Sequence, residues 1–259
     1  MTPGRSATAR SVGGTGDGGR PIPRTASRLS LHDTVVAQVG RAIVSGEHPA
    51  GTVLRAEQIE SATGASRSVV REAARVLEAM GLIATRRRVG ITVQPRSAWQ
   101  VYDPRVIRWR LDGTEAERSE QLRTLNQLRA GVEPVAAGLA AQHATPEQAA
   151  TLVGAVMEMA RWAKAQDLEA YLDADVVFHT TVLQASGNEM LAALDQVVAE
   201  VLAGRTHHDL MPSNPNPDAI RLHGDVAQAI QSGDAAGATR AMQGIIDEAT
   251  QAVAAVVGS

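Results

Sequence analysis

Apolar positions recur along this chain with two different periods. Leu31, Val35, Val39, Ile43 and Val44 fall at helical spacing and make one stripe. The stretch Gly46-Glu47-His48-Pro49-Ala50-Gly51 then breaks the chain. A short helix is predicted over residues 56–63, stopped by Gly64, and Ser66 is suited to N-cap a longer helix running through Met80. Val69, Val70, Ala73, Ala74, Leu77 and Met80 form the side this helix buries. After Gly81 come two short β-type runs, 82–85 and 91–93, with Arg86-Arg87-Arg88-Val89-Gly90 between them. They predict a two-stranded ribbon whose turn carries three consecutive arginines. Residues 97–113 read as a connector. From about Glu115 to Val257 the pattern is helical only, broken near Thr145-Pro146, 185–188, 211–217 and 232–234, and no internal repeat is found.

Helix, short helix, turn, second helix and β-wing make a winged helix-turn-helix. Six or so helices without strands make an all-α bundle, so the fold class is mainly α, with the winged module N-terminal and the bundle C-terminal. The expected organisation is a disordered arm over 1–28, a DNA-binding domain over 29–96, a linker over 97–114, and a ligand-binding and dimerisation domain over 115–257. The arm is rich in Gly, Ser, Thr, Pro and Arg and lacks periodicity; it either touches DNA phosphates non-specifically or is a solvated tail.

Composition sharpens this picture. The apolar residues are mostly Ala, Val and Leu, with a single Phe, which favours closely packed helices over a β-sandwich. With no Cys there can be no disulfide, thiolate ligand or thiol nucleophile. No apolar run reaches the length of a membrane span, and no apolar h-region follows the N-terminal arginines, so a cytoplasmic location is expected.

The net charge of −3 hides an asymmetry. Residues 1–110 hold 17 Arg and no Lys against 8 Asp and Glu; the remainder holds 8 basic and 20 acidic residues. Five of the 17 arginines lie in the arm, so removing it still leaves a basic first half, as binding to a polyanion requires. Arg67 and Arg71 stand at i and i+4 near the start of the second helix, projecting from one face where a recognition helix meets base edges. Arginine suits bidentate contact with guanine O6 and N7. The wing arginines 86–88 suit backbone or minor-groove contact, while Arg75 reads as a solvated residue.

Three stretches carry a family resemblance: Pro49-Ala50-Gly51-Thr52-Val53-Leu54, then Ala65-Ser66-Arg67-Ser68-Val69-Val70-Arg71-Glu72-Ala73, then Leu77-Glu78-Ala79-Met80-Gly81-Leu82-Ile83. Together they resemble the GntR family of bacterial repressors over residues 31–95. The resemblance implies that Ser66, Arg67, Ser68 and Arg71 touch DNA together with Arg87 or Arg88. Many relatives carry Arg where this chain has Gln58 and Pro where it has Arg55, so Arg55 stands in for that contact.

The second half resembles the helical (FCD-type) effector domain of the FadR subgroup, from about residue 125 to 249. In Asp175-Val176-Val177-Phe178-His179 an Asp and a His four apart share one helix face, as two ligands of a divalent cation must, or as a hydrogen-bonded pair does. The family pattern adds His223, and a further His at the position of Ile245, which cannot ligate. Asp175, His179 and His223 then either hold Zn²⁺ or a similar divalent ion, or bind ligand directly. His207 and His208 are substitute ligands or surface residues. Arg129, whose family counterpart faces the cavity, and Arg205 are candidate contacts for an anionic effector, with Asn188 as a third. Glu133, four residues after Arg129, offers an internal ion pair as the alternative. The connector, residues 99–109, is similar to that of repressors of sugar-acid catabolism.

Two functions follow. The first is a homodimeric repressor on a palindromic double-stranded operator, controlled by a small carboxylate such as a sugar acid, with no membrane involved. The second is a metal-dependent enzyme using the Asp/His/His face.

Overall fold

The computed structural model describes residues 1, 30–86, 90–208, 210 and 216–257, with side chains to 252. The expectations for the arm and for Arg87 and Arg88 lie outside the described residues.

Helix α1 (Leu31–Val44) begins where the Ser30 hydroxyl accepts from the Asp33 N–H, and buries Val35, Val36, Val39 and Ile43. Helices α2 (Ala56–Thr63) and α3 (Arg67–Ala79) follow, separated by Gly64 in the left-handed region at φ 68°. Strands β2 (Ile83–Arg86) and β3 (Gly90–Val93) form the predicted ribbon, with Thr85 opposite Ile91 and Arg86 opposite Gly90. A strand that the sequence pattern did not predict, β1 (Val53–Leu54), pairs antiparallel with the other side of β3, giving the order β1-β3-β2. Two residues are too few to show an alternating pattern. Val35, Val39, Val70, Ala73, Leu77, Leu82 and Ile91 share one core beneath this module.

The connector is more than a linker. Its first residues are strapped to the winged module: the Gln100 N–H donates to Met80 O, and the Trp99 indole donates to Gln94 O. Pro104–Leu111 then forms helix α4, capped by the Asp103 carboxylate on the Arg105 N–H. Two faces of α4 enter two cores. Val106 and Trp109 join the core of the winged module, where the Trp109 ring packs against Gly40. Ile107 and Leu111 join Leu122, Leu125, Val197, Val201 and Leu210.

The bundle comprises α5 (Glu115–His143), α6 (Pro146–Ala165), α7 (Leu168–Ala185), the single turn α8 (Glu189–Ala192), α9 (Asp195–His207), α10 (Pro217–Ser232) and α11 (Ala235–Val257). Capping boxes fix the starts of α5 and α6: Thr114 with Glu117, and Thr145 with Gln148. The breaks predicted near 145, 186 and 233 all separate helices, that at 211–217 falls largely outside the described residues, and the one at Gln166, with φ 56°, was not predicted. Helix α7 runs through the middle, packed on α5, α6 and α9, with Phe178 fully buried. Among the described residues no helix is long and apolar enough to cross a membrane.

Trp109 is 6% exposed and ties the connector to α1. Trp109→Ala is expected to destabilise the protein by about 3–5 kcal/mol, read from urea unfolding, because the space it leaves cannot close around Gly40.

Candidate functional site

Two sites emerge, one on the surface and one buried. On the surface, Ser66, Arg67, Ser68 and Arg71 are all exposed at the N-terminal end of α3. Ser66 occupies the N-cap position, but its hydroxyl faces that of Ser68 at 3.2 Å and makes no bond to the helix backbone. The first-turn N–H groups therefore lack a side-chain acceptor, the condition under which a helix start receives a phosphate. Arg75 is exposed and pairs with Glu72 at 3.0 Å, as its solvated reading implies. Between α3 and β2 lies a concavity of about 630 Å³, lined by Arg67, Arg71, Arg75, Glu78 and Thr85. Arg55 is exposed at the start of α2; Gln58 folds back so that its Oε1 accepts from the Arg55 N–H at 3.2 Å, leaving Arg55 as the outward side chain.

The buried site is built on α5, α7, α9 and α10. Asp175 and His179, one turn apart on α7, meet His223 of α10, and all three are buried. His223 Nε2 lies 3.1 Å from Asp175 Oδ1 and 3.4 Å from His179 Nε2, while His179 Nε2 lies 3.4 Å from Asp175 Oδ1. The other ring nitrogens face acceptors: His223 Nδ1 donates to Ala219 O at 2.6 Å, and His179 Nδ1 meets Glu133 Oε2 at 2.5 Å. A carbonyl only accepts, so the proton of His223 sits on Nδ1; a carboxylate assigns the proton of His179 in the same way. Both Nε2 lone pairs then point at each other and at Asp175, and such a convergence needs a positive charge at its centre. Either a proton on one Nε2 or a divalent cation provides it. Ligand atoms around 2.0–2.1 Å from a tetrahedral zinc stand about 3.3–3.4 Å apart, so this donor set fits a metal. A carboxylate or carbonyl behind each histidine is the usual support of a metal-bound imidazole. Phe178 packs edge-on against His223, with ring centres 4.8 Å apart, and so holds that ring in place.

Electrostatics agree with the geometry. Burial alone would raise the Glu133 carboxyl, but Arg129 and His179 outweigh it and bring it to about 2. Asp175 is likewise held well below the usual carboxylate range, because the two histidines outweigh its burial. Burial would lower His179; Glu133 and Asp175 instead raise it.

Arg129, with no exposed surface, donates from Nε to Glu133 Oε1 at 2.6 Å, and neither Nη atom has a hydrogen-bond partner among the described residues. Arg205 of α9 is 5% exposed, and its Nε also lacks a partner among the described residues. Burial, then the field of Arg129, lowers its pKa, opposed by Asp175, Glu248 and Tyr171. The internal ion pair set out as the alternative for Arg129 is present, made through Nε, and it leaves the two Nη donors to spare.

The structure brings Asp175, His179, His223, Arg129 and Arg205 into one region. It does not bring Asn188 there. Asn188 is exposed and caps α8, its Oδ1 accepting from the Met190 and Leu191 N–H groups. His207 is half-exposed beside Glu169, and His208 faces Asp112 at 3.6 Å, so neither joins the metal donors. Ile245 is buried in the apolar core with Phe178. Two participants were missed as such. Glu133 links Arg129 to His179, a contact 46 residues apart in sequence. Tyr171, one turn before Asp175 on α7, is buried within the field of Asp175 and Arg205, and its burial raises its hydroxyl pKa.

An exposed basic recognition helix with a β-wing, joined to an all-α body enclosing a polar cluster, defines a DNA-binding regulator with a second, helical domain. Residues 31–93 match the bacterial regulatory proteins of the gntR family, and residues 124–248 match the FCD domain. Over 212 residues the chain is 32% identical to the galactonate operon transcriptional repressor of Escherichia coli (strain K12), covering 80% of this chain and 91% of that protein. Over 216 residues it is 27% identical to a probable D-xylose utilization operon transcriptional repressor of Paenarthrobacter nicotinovorans, covering 82% of each. A solved structure described as Lar, which controls expression of the Listeria monocytogenes agr system, shares the fold with TM-score 0.56 at 17% identity, over 89% of this chain and 99% of that one. The chain belongs to the GntR family and carries an FCD domain. The family and these relatives are transcription regulators, and the enzyme reading of the Asp/His/His cluster falls away.

Removing the bridge between Arg129 and His179 should be costly. Glu133→Ala strands a buried guanidinium without its counter-charge and should lose about 3–5 kcal/mol in urea denaturation. Glu133→Gln keeps hydrogen-bonding atoms on both sides and should lose less. An unchanged midpoint for the Ala variant would refute the bridge.

Proposed function

We propose that this chain is a repressor. It binds a palindromic operator as a homodimer and is controlled by a small carboxylate, a sugar acid, held in the helical domain. The reading rests above all on Arg129, a fully buried guanidinium whose two Nη atoms have no partner among the described residues. Buried donors without acceptors are rare because each forfeits the hydrogen bonds it made to water. A carboxylate satisfies both at once, in the bidentate geometry that arginine prefers. Arg205, with a spare Nε nearby, supplies a second hand. The sugar-acid class is supported by the name of the galactonate operon relative.

In this reading the sensing domain spans 115–257, the linker 97–114 and the DNA-binding domain 29–96, with 1–28 as an arm. Asp175, His179 and His223 hold a divalent cation, zinc or a similar ion, which when bound attracts the effector's oxygens. Glu133 fixes the His179 tautomer and Phe178 the plane of His223. On the DNA, Arg67 and Arg71 read bases, Ser66, Ser68 and Arg55 hold the backbone, and Arg87 and Arg88 of the wing add phosphate contacts. The effector acts through unequal affinity for the two states of the dimer. Helix α9 carries Arg205 on one side, while Glu200 pairs with Arg108 of α4, and Asp112 at the end of α4 pairs with Arg41 of α1 at 3.4 Å.

Sugar acids, galactonate among them, should raise the melting temperature of the metal-loaded protein. At a hundred times its Kd a ligand adds about 2.7 kcal/mol to the native state. EDTA should weaken that response, and Arg129→Met should abolish it. A screen of sugar acids without any shift, with or without metal, would overturn the carboxylate reading.

In mobility-shift titrations, Arg67→Ala or Arg71→Ala should weaken specific binding by about 1–3 kcal/mol and leave binding to unrelated DNA nearly unchanged. Equal losses on both DNAs would refute a base-reading role.

A further inference from the structure

Glu78 is an acidic side chain set among the arginines of the recognition helix. It lies one turn after Arg75 and two after Arg71, on the side of α3 that lines the concavity facing β2. An exposed carboxylate there should repel the phosphates that the arginines attract, so its presence needs a reason.

The reason is at its other end. The Thr85 N–H donates to Glu78 Oε1 at 2.7 Å, and the Thr85 hydroxyl donates to Oε2 at 2.6 Å. Both oxygens are engaged, and these bonds hold the carboxyl below its ordinary pKa. The sheet explains why Thr85 is free to make them. Gln94 N–H donates to Leu82 O, so by the register of this antiparallel pair Ala84 and Arg86 are the residues that exchange bonds with β3, while the N–H of Thr85 faces away from it. Without Glu78, β2 would be held by β3 alone at its distal end.

We infer that Glu78 is a positioning residue for DNA binding: it clamps strand β2 to the recognition helix, so that Arg86 lies at a fixed distance from Arg67 and Arg71. It touches no DNA in this role. By fixing the wing beforehand, it spares binding the entropy of ordering it. The clamp depends on hydrogen bonding more than on charge. A glutamine offers Oε1 to the Thr85 N–H and its amide N–H to the rotated hydroxyl.

The test uses the full-length protein and a duplex recovered by selection from random sequence with the wild type. Glu78→Ala should weaken binding about fivefold, the order expected from losing two hydrogen bonds. It should also reduce the slope of log K against log salt by about one to two phosphate contacts. Glu78→Gln should stay within about twofold with the slope intact, and Thr85→Val, which keeps the N–H, should fall between them. Arg86→Ala should cost less in the Glu78→Ala background than in the wild type. An Ala variant that melts lower but binds with the wild-type slope would make Glu78 merely structural and overturn the proposal. Tighter binding by both Glu78 variants would overturn it too, by showing that the carboxylate only repels phosphate. So would a Gln variant as weak as Ala.

Discussion

The carboxylate of Glu133 carries the interior of the helical domain. Its two oxygens reach Arg129 on its own helix and His179 on α7, at 2.6 and 2.5 Å, with all three residues buried. A charge removed from water survives only when paired and hydrogen-bonded, and here one carboxylate serves two partners. Its orientation sets the next layer: a protonated Nδ1 on His179 turns the lone pair of Nε2 towards Asp175 and His223. The cluster is in effect a single chain of polar contacts from Arg129 to His223, anchored at its far end by the carbonyl of Ala219.

The second constraint is mechanical. Residues 104–111 could have been a flexible tether, but they form a helix with a side chain in each of two cores. Trp109 packs closely enough on α1 that Gly40 leaves no room for a Cβ, and Leu111 does the same against Gly204 of α9. The two halves are therefore coupled through packed side chains, and interiors at crystal-like density transmit displacement poorly as bending but well as rigid-body shift.

Much of this was legible in the sequence. The strong 3.6-residue period of α1 and α3, the glycines at 64 and 81, and the prolines that open α6 and α10 marked the winged module and most of the bundle. What escaped had weak local signals. Strand β1 is two residues long and exists because β3 offers it a partner. The break at Gln166 carries no Gly or Pro; a glutamine adopts the left-handed conformation there so that Asp167 can cap α7 through its bond to the Ala170 N–H. In the site, Asp175 and His179 were visible as a one-turn pair, but no local pattern could reveal that Glu133 bridges to α7, because long-range pairing is set by packing. Asn188 shows the opposite failure. A polar residue in the right stretch of sequence was already committed to ending the chain reversal before α8.

The contact at Thr85 also bears on solubility. β2 is the outer strand of a three-stranded sheet, and outer strands with open N–H groups invite a strand from another molecule. Here an outward-facing N–H is covered by a charged carboxylate, and the next residue is an exposed arginine. An incoming strand finds that N–H already bonded, so this edge of the sheet cannot readily seed strand-to-strand association between molecules.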